Sequence, residues 1–315
     1  MVLGRRWSGL AAALAAVCSA TTIAVSQSPV GTPELPAGGL VLVANGSILP
    51  EQLDVTIAVD RVRLVYVFRN ADERDASMLV TFALPDLDMT WIWDQPPLLP
   101  RSGDANFVEA TTSADGVRVA YRLEQRALAL GLDVTQALTQ QGIPLFPYET
   151  GLHDRIRDLP EPVREDFLAR GILKAASDKL LPSWLLKSTL HWRQLFPAGK
   201  PVTLVHSYSP VAGSPAGTLA ALEKSTCLDA ADARRLELAA KNAGHPRLTV
   251  VGYQSTAGSA WSDAIGRFRL TIDKPSPTAQ VVLCRTGLST VSPTQLEWMQ
   301  RDYAIEDDIT VLFVD

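Results

Sequence analysis

The residues best suited to covalent chemistry are Cys227 and Cys284, two thiols 57 positions apart. In an oxidising compartment they pair, and the bridge restricts the unfolded chain by about 3–4 kcal/mol. In a reducing one they stay as thiols, with Cys284 packed behind the apolar run Val281-Val282-Leu283. Four histidines are the other reactive side chains. His206 is in phase with Val202, Leu204 and Tyr208, the pattern of a hydrogen-bonded core imidazole; a catalytic or metal role is the alternative. His191 has the opposite parity, beside Arg193, and reads as a surface strand residue. His153 and His245 have no carboxylate or cysteine at ligand spacing.

Asp86 and Asp88 could ligate calcium, but such loops carry more oxygen donors and a glycine at the bend, so a solvated loop is the reading. The run Glu306-Asp307-Asp308 reads the same way. The sequence has no nucleophile elbow, zinc-protease pair, phosphate loop or C-x-x-C. No catalytic residue, metal ligand or cofactor site is therefore assigned. The remaining ligand-binding candidates are Trp91 and Trp93. Two positions apart on a strand, they would share a face and stack on sugar rings or anchor a protein partner; buried, they would be core.

The chain carries 29 Lys+Arg against 34 Asp+Glu, a net charge of −5. Without a basic stripe it is not a nucleic-acid binder. Arg5 and Arg6 precede a short apolar run, Leu10 to Val17, and small residues follow, with Ala20 or Ser26 before a cleavage point. That order predicts a signal peptide over 1–26 and export to a periplasmic or extracellular space. The apolar run is well under the ~20 residues that span a bilayer, so no stable membrane insertion is expected. Cys18 would leave with the leader, taking with it the lipoprotein alternative, which Val17 already disfavours. Loss of Arg5 and Arg6 leaves a net charge of about −7.

The elements that position these residues follow from hydrophobic period. After a connector over 27–39, a β region extends over 40–126. Val55, Ile57 and Val59, then Val62, Leu64, Tyr66 and Phe68, alternate with polar partners around a turn at Asp60-Arg61. Met78 to Leu84 is the next strand, and Phe107–Thr112 with Val117–Leu123 flank Asp115-Gly116 as a hairpin. This region reads as antiparallel throughout. A helical insertion over 127–183 follows, with one helix to Gln141 and another from Val163 to Arg170. A second β region over 184–315 opens with the clearest hairpin of the chain, Leu190 to Tyr208, turned by Pro197-Ala198-Gly199-Lys200, and holds one helix over 229–241. Strands at Leu248–Tyr253, Gly266–Ile272, Gln280–Arg285 and Ile309–Val314 end the chain. Strands interrupted, rather than alternated, by helices predict a β-rich α+β fold: antiparallel, sandwich-like sheets with a helical insertion.

Several blocks carry a resemblance. They are Gly38-Gly39-Leu40 with Val43 and Asn45, Val62-x-Leu64-x-Tyr66-x-Phe68-x-Asn70, and Phe82-x-Leu84-Pro85-Asp86. Trp192-x-Gln194-x-Phe196-Pro197-Ala198-Gly199-Lys200 with His206-x-Tyr208 follows, then Trp261, Ile265-Gly266 and Phe268 through Lys274. In order and across nearly the whole mature chain, these resemble an exported bacterial family, domain of unknown function 4424. The turn at Pro275-Ser276-Pro277 departs from it. The resemblance implies export, a β-rich fold and cysteines at Cys227 and Cys284, with no assigned activity. The expected role is a non-catalytic interaction module for an envelope or secreted protein. The alternatives are carbohydrate binding through Trp91 and Trp93, and an envelope hydrolase with a dispersed site.

Overall fold

The computed structural model describes residues 31–42, 46–177, 179–214, 227–229, 231, 232, 234, 236, 247–255 and 264–315. The expected leader over 1–26, His245, Trp261 and the end of the expected helix over 229–241 lie outside the described residues. Within that helix, Ala231, Asp232, Arg234 and Leu236 are helical, and the Asp229 carboxylate accepts the Asp232 N–H at 2.7 Å.

Among the described residues the largest sheet has eight strands in the order β18 (Ser289–Ser292), β19 (Gln295–Tyr303), β16 (Ile265–Asp273), β3 (Ile48–Ile57), β4 (Val62–Asn70), β14 (Pro201–Tyr208), β7 (Thr111–Ala114) and β8 (Val117–Arg118). Alternation builds it: Val62, Leu64, Tyr66 and Phe68 are buried on one face of β4, as are Val202, Leu204, His206 and Tyr208 on β14. Each such apolar side chain contributes about 1.5–3 kcal/mol on burial. Asp115 and Gly116, at φ +46° and +83°, turn β7 into β8 as the sequence predicts.

A second sheet runs β10 (Leu132–Asp133), β9 (Arg122–Ala129), β13 (Leu185–Phe196), β5 (Ala76–Ala83) and β2 (Val41–Leu42), with β6 (Leu87–Asp88) also on β13. It faces the first sheet across one core. Phe82 meets His206 and Tyr208 at ring separations of 4.3 and 5.3 Å, and Phe196 meets Phe68 edge-on at 5.9 Å. A smaller sheet, β1 (Ala37–Gly38), β15 (Leu248–Gln254), β20 (Ile309–Val314) and β17 (Gln280–Leu283), adjoins it. The insertion carries α1 (Thr135–Gln140), α2 (Leu152–Arg157) and α3 (Glu161–Ala169), then a ribbon of β11 (Leu173–Ala176) and β12 (Lys179–Pro182). The fold is thus a β-rich α+β sandwich with few helices.

Three expectations change. First, β13 and β14 do not pair: β13 lies between β5 and β9, while β14 lies between β4 and β7. The segment from Leu190 to Tyr208 is a corner between facing sheets rather than a hairpin. Both strands bury even-numbered residues toward the same core from opposite sides, and a period-two pattern is identical in either arrangement. Second, pairing is not all antiparallel, since β3 runs parallel to β16 and β1 parallel to β15. Third, residues 107–110 form a loop. Asn106 holds it through both ends of its amide, which accepts the Ala110 N–H and donates to the Ala110 carbonyl and the Tyr121 hydroxyl.

Asn70 staples the corner. Fully buried, it donates from Nδ2 to the carbonyls of Phe196 at 2.9 Å and Arg74 at 2.8 Å, and its Oδ1 accepts the Asp72 N–H at 3.0 Å. Its own carbonyl accepts the Gly199 N–H at 3.0 Å. Removing the amide deletes three hydrogen bonds at a fully buried position, so Asn70→Ala is expected to lower stability by about 2–4 kcal/mol. Urea unfolding measures it; a loss under about 1 kcal/mol would deny the staple.

Candidate functional site

The site with the clearest unmet chemistry lies beside β13. A cleft of about 630 Å³ is lined by Leu79, Val119, Ala120, Arg122, His191, Trp192, Arg193 and Gln194. The register explains the convergence: Arg122 on β9 lies opposite His191 on β13, and Arg193 lies opposite Leu79 on β5. All four point to the outer face of the sheet, away from the core. Along that face Glu124 pairs with Arg126 at 2.9 Å, and Asp86 pairs with Lys187 at 2.5 Å. Those two carboxylates are taken. Among the described residues Arg122 and Arg193 have no ion pair, although the chain is acidic overall. Beside them Leu79 and Leu195 are 40% and 52% exposed.

The tryptophan pair sits elsewhere and in another geometry. Trp91 and Trp93 occupy a helical turn, where the Asp88 carbonyl accepts the N–H groups of Trp91 and Ile92, rather than a strand. Residues two apart there point roughly 200° from each other, so the pair forms no common platform. Both are half-buried against the core. Trp93 donates from Nε1 to the Pro182 carbonyl at 3.0 Å and meets His153 edge-on at 5.5 Å. His153 in turn lines a second cleft, of about 530 Å³, with Ile156, Arg157, Arg164, Ser177 and Lys179 among its walls. Its arginines are matched: Arg157 by Asp154 and Asp158, Arg164 by Glu161. Tyr148, which packs on Trp93, has its hydroxyl pKa raised by burial.

His206 is the core imidazole that its phase predicts. It is fully buried, with Nδ1 at 2.8 Å from the Thr112 hydroxyl, and burial lowers its pKa to about 3. Nearby, the Tyr66 hydroxyl accepts the Leu40 N–H at 3.0 Å and hydrogen-bonds Tyr253, while Tyr208 donates to the Ala37 carbonyl at 3.2 Å. Gly39 makes this possible: a Cβ there would collide with the Tyr66 hydroxyl and lie 3.0 Å from that of Tyr253. Burial raises the pKa of all three phenols, which are structural groups. Asp86 is held by Lys187, and Asp88 accepts both the N–H and the hydroxyl of Thr90.

Cys227 and Cys284 form a disulfide across Cα atoms 4.9 Å apart. It lies beside a small core formed by Leu228, Leu236, Val250, Val282, Leu312 and Val314.

Of the cleft residues, the sequence brings forward His191 with its neighbour Arg193 as a surface strand site, and Trp192 and Gln194 only as part of a family-like block. Arg122 escapes notice because the pairing that sets it opposite His191 links strands about 70 residues apart. The available signal was parity, which sets Arg122, Glu124 and Arg126 on one side of their strand, and His191 and Arg193 on one side of theirs.

The fold is a two-sheet, β-rich sandwich with a helical insertion and a cationic cleft beside one incompletely paired strand. The chain belongs to the family described as Domain of unknown function (DUF4424), whose model matches residues 31–312. Among curated proteins none matches. Among solved structures the fold is similar to that of a "putative nutrient binding protein" from Legionella pneumophila, with a TM-score of 0.50 at 11% identity, covering 90% of this chain and 72% of that one.

Proposed function

We propose that this chain is an exported, non-catalytic binding module that holds an acidic partner protein of the cell envelope in the cleft beside β13. The observation that carries the reading is the convergence of Arg122, His191 and Arg193 in one cleft without a described counter-charge, within a chain of net charge −5. Cationic groups held apart from internal carboxylates are available to a partner and steer its approach. Exposed Leu79 and Leu195 add apolar contact at the same place. The disulfide supports an oxidising compartment. The binding name of the Legionella protein agrees at the level of fold alone.

Photo-crosslinking in the native envelope tests this. With the crosslinking amino acid at position 195, a defined protein adduct is expected. It should be absent with the crosslinker at position 299 and reduced at least five-fold in Arg122→Glu/Arg193→Glu. Equal adducts with and without the charge reversal would contradict the reading. Carbohydrate binding has one observation in its favour, the contact of Trp93 with His153, which lines the second cleft. A glycan that copurifies with the protein and is lost in Trp93→Ala would favour it instead.

A further inference from the structure

The geometry points to an extended acidic peptide segment as the occupant of the cleft beside β13, added to the sheet as an antiparallel strand. This rests on the reading of an acidic protein partner and specifies the form that the partner takes. β5 pairs with β13 from Thr189 to Phe196, but β9 pairs with it only from Leu185 to His191. On the β9 side, Trp192 to Phe196 therefore has no neighbouring strand among the described residues. The chain that would have continued there, Val119 to Tyr121, leaves β13 and turns toward the other sheet, where the Val119 N–H donates to the Thr112 carbonyl.

Alternation decides which backbone groups face the gap. The Leu84 N–H donates to the Ser188 carbonyl, so even-numbered residues of β13 bond toward β5 and odd-numbered residues toward β9. The N–H and C=O of Arg193, and the N–H of Leu195, thus point into the gap with no backbone partner among the described residues. The lining says the same. Four consecutive residues, His191 to Gln194, border the cleft, and consecutive strand residues point to opposite faces. A cavity touching all four reaches round the strand's edge, and Leu79 on β5 extends it over the outer face.

An open edge invites pairing, and proteins blunt such edges with polar side chains. Gln194 does so here, donating from Nε2 to the Leu195 carbonyl at 2.9 Å. A strand entering the gap would continue the line of β9. Its residue opposite Arg193 would then present its side chain on the face that carries Arg193, Arg122 and His191. A carboxylate suits that position, whereas the flanking residues, on the Trp192 side, would be apolar. Main-chain bonds give such a complex its affinity and alternate side chains its specificity.

The test is fluorescence anisotropy of the full chain with a labelled seven-residue peptide alternating glutamate and valine. In antiparallel pairing opposite Arg193, glutamate amides face the strand and valine amides face away. N-methylation of the glutamate amides is expected to weaken binding at least ten-fold, and N-methylation of the valine amides less than three-fold. Arg193→Glu, a surface change, is expected to weaken the unmodified peptide at least ten-fold. Failure of that peptide to bind, equal effects of the two methylations, or equally tight binding of citrate would each overturn strand addition. Loss of the envelope adduct on charge reversal would still support the acidic-partner reading, so the two fail separately.

Discussion

Reducing the Cys227–Cys284 bridge is expected to lower the free energy of unfolding by about 4 kcal/mol. The magnitude follows from loop closure: the bridge closes 57 positions, and the unfolded chain regains that freedom when the bond is cut. Against the ~5–15 kcal/mol that holds a typical domain, this is a large fraction. The damage should be felt first in the small core beside the bridge, where Leu228 and Leu236 pack on Val250, Val282 and Leu312. Urea unfolding with and without reductant, and of Cys227→Ser/Cys284→Ser, measures the loss. Thiol titration of protein recovered from the exporting cell should find no reactive thiol at either position before reduction. Two free thiols in that material would contradict both the stabilisation and the proposed compartment.

Acid should produce the second large effect, through His206. Burial lowers its pKa from 6.5 to about 3, so the folded protein keeps the imidazole neutral while the unfolded chain takes up a proton below pH 6.5. Between those two values the unfolded state binds more protons, and stability falls as pH falls, by up to about 1.4 kcal/mol per pH unit. The contribution is fully present above pH 6.5 and is lost toward pH 3. Glutamine at position 206 can still meet the Thr112 hydroxyl but cannot titrate. His206→Gln is therefore expected to lose about 2 kcal/mol less than the native chain between pH 7 and pH 5, by urea unfolding. Parallel pH profiles would show that His206 is not the group responsible.

How much of this was legible in the sequence depends on the range of the interaction. Period-two burial along Val62–Phe68, the Asp115-Gly116 turn, the helix ends at Gln141 and Arg170 and the phase of His206 are set by neighbours in the chain, and all are readable. The Leu190–Tyr208 corner was misread because side-chain parity does not tell a hairpin from a crossing between facing sheets. What separates them is Asn70, whose amide reaches 126 residues to the Phe196 carbonyl. The strand β19 was missed because its sequence, QLEWMQRDY, is polar at most positions; Phe268 packs on Trp298 and Tyr303 and holds it in the sheet. Trp91 and Trp93 were paired by spacing, but a helical turn at Asp88 separates their directions. The cleft was beyond reach for the same reason as the corner: its gap exists because β9 stops opposite His191 while β13 continues to Phe196, a fact of register alone.

The open edge can be tested most directly by amide hydrogen exchange in the free protein, read residue by residue along β13. Trp192 and Gln194, bonded toward β5, are expected to exchange slowly, and Arg193 and Leu195 fast. Adding the glutamate–valine peptide should slow Arg193 and Leu195 and leave their neighbours unchanged. Slow exchange at Arg193 and Leu195 before any peptide is added would mean that the edge is already covered, and would contradict the open site.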